Sequence, residues 1–184
     1  MKIGFRIPGK AREISFEELC AWATRTGFGA IDLSSPNAEQ AGTARAAGLE
    51  IGTIDLPGTA NLVSADAEKQ QAGVDAAKAA IAATAELGCD KMFCVFVPED
   101  RSRKRAESFE VWKKTFPAVA AFAEEKGVRI AMEGWPGPGP SYPAIGVTPE
   151  MWRAMFAAVP SPAFGLNFDP SHLVRIGIDP MRAL

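Results

Sequence analysis

Short β-prone runs alternate with helix-forming segments along the whole chain, and this order constrains the fold more than any other feature. The opening run, Lys2 to Ile7, is followed by Ser15-Phe16-Glu17-Glu18. There a serine hydroxyl and a glutamate carboxylate can satisfy the free amides of a helix start. That helix is expected to end at Gly27, because glycine takes the left-handed terminating conformation cheaply. Ala30 to Leu33 reads as the second strand, Asn37 to Gly48 as a weaker helix, and Leu49 to Leu56 as the third strand. From about Asp66 to Gly88, the residues Val74, Ala77, Ile81 and Leu87 recur at helical spacing, which predicts a long amphipathic helix. Lys91 to Val97 is the fourth strand. A helix over Ser108 to Gly127, kinked at Pro117, leads to Val128 to Met132 as the fifth. Thr148-Pro149 caps another helix, Phe164 to Phe168 is the sixth strand, and Asp179-Pro180 begins one more helix just before Leu184.

Strands separated by helices form a parallel sheet, because a crossover of this length returns the chain to the same end of the sheet. Two architectures satisfy that rule. An open doubly wound sheet closes at six strands, but its nucleotide-binding members carry a glycine-rich turn after the first strand, and Ile7-Pro8-Gly9-Lys10 is not one. A (β/α)8 barrel places its active site at the strand exits, where this chain has its isolated acids, and needs about 250 residues. The preferred reading is a single α/β domain over 1–184, of the (β/α)8 TIM-barrel type, incomplete, with about six β/α units and a C-terminal truncation.

The net charge of −2 and the pI near 5.5 argue against a nucleic-acid partner. No uncharged run approaches the roughly 20 residues of a membrane span, and the first apolar run is too short for a signal sequence. Cys20, Cys89 and Cys94 lie in apolar surroundings without CxxC spacing, so they are expected to be buried, reduced thiols in a cytoplasmic protein.

Three residues carry the chemistry. Glu133 ends the fifth strand and precedes the rigid Gly134-Trp135-Pro136-Gly137-Pro138-Gly139-Pro140 loop. Asp169 has the same placement one strand later, and His172, the only histidine, follows it by three residues. Neighbouring parallel strands lie about 4.8 Å apart, so the two carboxylates can reach one ion. Two carboxylates and an imidazole suit a divalent metal. The competing readings are structural: Glu133 paired with Arg129 or Arg6, Asp169 capping a helix or forming a turn, and His172 packed without a ligand. Trp135 is either an apolar wall for a sugar or a packing residue. Asp32 and Asp55, at the ends of the second and third strands, either hydrogen-bond sugar hydroxyls or pair structurally at the barrel mouth. Arg101-Ser-Arg-Lys-Arg105 is read as a solvated loop rather than a phosphate site.

The opening Lys2-Ile-Gly-Phe strand, Thr26-Gly-Phe-Gly-Ala-Ile-Asp-Leu33, Glu133 and Asn167-Phe-Asp-Pro-Ser-His172 together resemble the xylose isomerase-like sugar isomerase/epimerase superfamily of TIM barrels, the apurinic-endonuclease-like group. In that family a divalent ion is held by a glutamate, an aspartate, a histidine and a glutamate on strands five to eight. The resemblance implies that Glu133 and Asp169 are metal ligands, with Glu133 also catalytic. It assigns substrate contact to His172, with metal ligation as second choice. It implies a cofactor ion (Mn, Co, Mg or Zn) and a small carbohydrate substrate, with no nucleic-acid or membrane partner. The implied reaction is isomerisation or epimerisation of a sugar or sugar-like polyol by proton abstraction next to a carbonyl. Strands seven and eight have no counterpart, so the chain is expected to be inactive or nearly so without about two more units. The alternatives are a keto-inositol-type dehydratase on the same scaffold, or an inactive barrel fragment and interaction module that self-associates through open edges.

Overall fold

A computed structural model of the protein describes residues 2–183. Six parallel strands form one sheet in sequential order: β1 (Gly4–Arg6), β2 (Ala30–Leu33), β3 (Glu50–Asp55), β4 (Lys91–Cys94), β5 (Arg129–Glu133) and β6 (Phe164–Asn167). This order decides between the two architectures. A doubly wound sheet reverses direction partway across, whereas here every crossover steps to the next strand in the same sense, as in a TIM barrel. The helices α1 (Phe16–Arg25), α2 (Ala38–Ala46), α3 (Ala67–Glu86), α4 (Arg105–Glu125), α5 (Pro149–Ala158) and α6 (Pro170–Arg175) complete six β/α units.

The start signals behave as the local chemistry dictates. Ser15 and Glu18 form a reciprocal capping box at α1, while Asn37, Asp66 and Thr148 each accept a backbone amide at the starts of α2, α3 and α5. The ends differ more. β4 stops at Cys94 rather than Val97, and α4 begins at Arg105, ahead of the expected Ser108, and continues through Pro117 without a break. The Asp179-Pro180 segment makes only a short 3-10 turn, capped by Asp179. Of the two readings of Asp169, helix cap or turn, the helix cap holds, and Pro170–Arg175 is a short helix.

Alternation along the strands sorts the side chains. Ile31 and Leu33, Met92 and Cys94, and Ile130 and Met132 are buried beneath the helices. Their neighbours Asp32, Phe93, Ala131 and Glu133 occupy the concave face. The deepest packing lies under β4 to β6. There Trp112 stacks on Phe116 with ring centroids 4.8 Å apart, and Phe116 meets Phe164 at 4.8 Å. A second, smaller cluster of Leu19, Cys20, Ala23 and Ile31 supports β1 and β2, with the tilted rings of Phe5, Trp22 and Phe28 beside it. Cys20, Cys89 and Cys94 are buried and free, and burial pushes the thiols of Cys20 and Cys94 up. Among the described residues, the exposed large apolar side chains are Ile3, Ile14 and Trp22 on the β1 side and Val174 and Met181 on the β6 side. No helix among the described residues is long and apolar enough to cross a membrane.

Candidate metal and substrate site

Glu133 and Asn167 are register partners at the ends of β5 and β6, so their side chains emerge side by side on the concave face. The Asn167 amide Nδ2 donates to Glu133 Oε1 at 3.3 Å and orients the carboxylate. Two residues beyond β6, Asp169 is the N-cap of α6. Its Oδ1 accepts the Ser171 amide at 2.8 Å, which leaves Oδ2 directed at His172. The helical turn through Pro170 and Ser171 carries the imidazole back over the strand ends. His172 Nε2 lies 3.5 Å from Glu133 Oε2 and 3.5 Å from Asp169 Oδ2.

One donor atom from each of Glu133, Asp169 and His172 falls within 4.8 Å of the others. Two hard oxygen donors and one imidazole nitrogen are a donor set that fits a divalent ion, and three protein ligands leave room for water or substrate in the remaining positions. Neither arginine considered for Glu133 forms an ion pair with it, although the Arg6 charge still draws its carboxyl down. Arg129 pairs with Asp90, and Arg6 pairs with Asp55. For Asp169 the two readings turn out to be compatible, since one carboxylate oxygen caps the helix and the other faces the imidazole.

The two carboxyls sit in different fields. Burial pushes the Glu133 carboxyl up, opposed mainly by the His172 imidazole and reinforced by the Asp169 charge. The hydrogen bonds from Ser171 hold the Asp169 carboxyl below the ordinary range.

The loop from β5 to α5 is fixed on several sides. The Ile145 amide donates to the Phe96 carbonyl, and Trp152 Nε1 donates to the Gly146 carbonyl. A Cβ on Gly146 would lie 2.5 Å from Met132 Sδ, and φ there is +75°, so this close approach onto β5 requires glycine. Arg105 Nε donates to the Tyr142 carbonyl at 2.8 Å, and the Arg175 guanidinium lies 5.1 Å from the Tyr142 ring centroid. The basic run expected as a solvated loop is therefore partly structural. Arg105 clasps this loop, and Arg103 Nη1 donates to the Val63 carbonyl at 3.0 Å. Trp135 is half-buried at the loop's start.

Across the rim, Asp32 and Asp55 lie apart from the trio. Asp32 Oδ1 accepts the Thr53 amide at 2.8 Å and occupies space that a side chain at Gly52 would need. Arg6, one residue before the first predicted strand's end, pairs with Asp55 and sits over the Phe93 ring, 4.3 Å from its centroid. Sequence reasoning considered Arg6 only as a partner for Glu133, and Asn167 only as part of a motif, without giving either the partner it has here. The register of the strand ends is the signal that finds both, since each partners an acid at the top of the neighbouring strand.

A family model described as xylose isomerase-like TIM barrel matches residues 15–183. A D-psicose 3-epimerase solved in the presence of D-fructose superposes with a TM-score of 0.77 at 18% identity, over 96% of this chain and 66% of its own. The D-psicose 3-epimerase of Clostridium cellulolyticum H10, solved with D-tagatose, gives 0.76 at 15% identity, over 95% and 65%. The probable 3-DHS dehydratase AsbF of Bacillus anthracis gives 0.77 at 16% identity, over 100% and 68%. The chain thus spans just under two thirds of both epimerase structures, at 66% and 65%. At these identities the likeness is one of fold. No curated protein matches the chain.

Proposed function

The chain belongs to the xylose isomerase-like TIM barrel family, and from that premise we propose that it carries the divalent-metal site of a sugar isomerase or epimerase, with Glu133, Asp169 and His172 as its residues. The observation that carries this reading is the convergence of two carboxylates and one imidazole within 4.8 Å at the exits of β5 and β6. Glu133 and Asp169 would hold the ion. Bound there, the ion would supply polarisation of a substrate carbonyl, which acidifies the neighbouring carbon–hydrogen bond.

The chain's own groups supply the rest. Glu133, steadied by Asn167, is the carboxylate placed to take or return a proton beside that carbonyl. His172 stands between the two acids, positioned to hydrogen-bond a substrate oxygen. Trp135, two residues past Glu133, is the apolar wall for the sugar's carbon–hydrogen face. The substrate is a small carbohydrate, and the protein works in the cytoplasm.

Titration with Mn2+, followed by electron paramagnetic resonance, tests the site. The wild-type chain should take up one ion, and Glu133→Gln should weaken uptake by about 100-fold or more. Wild-type protein that takes up no divalent ion would sink the proposal. Incubating D-fructose in D2O with the metal-loaded protein, beside a version extended by about two β/α units, then tests the chemistry, with deuterium next to the carbonyl expected chiefly in the extended version.

A second reading draws on the dehydratase among the structural neighbours. The same initial proton abstraction followed by loss of a hydroxyl gives an unsaturated product, which separates from an isomer by mass. A third draws on the unpaired edges of β1 and β6, flanked by Ile3 and Trp22 and by Val174 and Met181. Such edges are surfaces for a second copy of the chain, and sedimentation velocity reads that association directly.

A further inference from the structure

The last register pair between β5 and β6 is Glu133 with Asn167, so beyond it the ladder no longer sets the distance between the two chains. Gly134 and Phe168 are the first residues outside the ladder. Gly134 follows the proposed ligand Glu133, and Phe168 precedes the proposed ligand Asp169. A single side chain from α5 touches both. Trp152, only 6% exposed, holds its indole so close to Gly134 that a Cβ there would stand 3.1 Å from Cζ2 and 3.5 Å from Nε1. The Phe168 ring meets the same indole edge to face, with centroids 6.3 Å apart and planes at 80°. An indole has a single donor, and here Nε1 gives it to the Gly146 carbonyl. That bond fixes the rotation of a side chain that has few torsions to begin with.

From these contacts we infer that Trp152 is a positioning residue of the metal site: a rigid plate, pinned by its N–H, that sets the distance between the Glu133 and Asp169 carboxylates through the residues next to them. The inference rests on the proposed metal site, on which Trp152 acts only through its neighbours. A bound ion tolerates little error, since its ligands must be held to within about 0.5 Å of the productive geometry by locked neighbours. Asn167 orients Glu133, and the Ser171 amide orients Asp169, each acting on one ligand. Trp152 bears on both exits at once, and the lack of a side chain at Gly134 lets it do so. A methyl group at 134 would displace the indole or the strand end by a few tenths of an ångström.

Mn2+ binding by the tag-free full chain tests this, together with the NMR signal of the His172 Cε1–H in the metal-free protein. His172 is the only histidine, and its Nε2 lies 3.5 Å from each carboxylate, so its resonance reports their arrangement without an ion. Trp152→Phe, a smaller ring without the N–H, should weaken Mn2+ uptake by about tenfold and displace the His172 signal. Gly134→Ala keeps the indole and should have both effects. In the Trp152→Phe background it should add nothing, because the smaller ring makes room for the methyl group. Ile81→Ala, a buried truncation on α3, should lower the melting temperature yet leave uptake and signal as in wild type, and so measures what lost stability does by itself. The positioning role is overturned if folded Trp152→Phe and Gly134→Ala keep wild-type uptake and signal, or if Ile81→Ala disturbs them as much. Gly134→Ala decides the matter if Trp152→Phe does not fold. A wild-type protein without Mn2+ uptake would remove the metal reading, and the His172 signal then decides the positioning role: displaced in the two variants but not in Ile81→Ala, the role stands, and unmoved, it falls.

Discussion

At the β5–β6 end of the rim, Glu133 and Asp169 converge on one imidazole, and among the described residues no arginine or lysine pairs with either acid. At the β1–β3 end, Asp55 is paired with Arg6, and Asp32 is spent on a backbone amide of the next strand. All four acids lie within two residues of a strand's C-terminal end. What separates them is the neighbour each meets. Acids that meet each other and an imidazole make a site that wants a cation, whereas acids that meet a guanidinium and an amide make a hydrogen-bonded wall with one ion pair in it. The support beneath them differs too. Trp112, Phe116 and Phe164 are packed and buried under β5 and β6, while Trp22 beside β1 is 43% exposed.

This contrast can be broken at several points. Phe116→Ala should cost about 3–5 kcal/mol in a denaturant melt, because it empties the centre of a buried aromatic stack. Trp22→Ala should cost only about 1–2 kcal/mol, since much of that ring already faces water. Equal costs would remove the difference in support. Gly52→Ala should cost about 1–3 kcal/mol, because the added Cβ would stand 2.5 Å from Asp32 Oδ1 and push it off the Thr53 amide. Mn2+ uptake should be unchanged in that variant, and a loss of uptake would show that the two ends of the rim are not independent.

The smallest effect is a pair of opposite pH slopes in the metal-free protein. Burial chiefly raises the Asp32 carboxyl, so the fold binds that proton more tightly than the unfolded chain does. The stability this gives is full below the ordinary aspartate range and is lost as pH rises through the raised value. Asp32→Asn should therefore gain on wild type between about pH 3 and pH 7. Asp169, held low by the Ser171 hydrogen bonds, contributes stability above the ordinary range that is lost as pH falls. Asp169→Asn should lose ground over the same interval. Melting temperatures across that range read both, and parallel slopes would mean that the two aspartates share one environment after all.

The sequence by itself determined the elements whose causes are local. The Ser15/Glu18 capping box, the Asn37, Asp66 and Thr148 caps and the alternation of strand with helix each depend on residues within a few positions of one another. That alternation is enough to require parallel strands, and it placed Glu133 and Asp169 at strand exits. Only the tertiary structure decided which exits meet. The winding of the sheet in one sense put β5 beside β6, so that Asn167, 34 residues away, could orient Glu133. It also put Arg6 against Asp55, 49 residues away, and left Arg129 to Asp90. The physical reason is that a charge takes the partner nearest in space, and distance in space is set by the register of strands far apart in sequence.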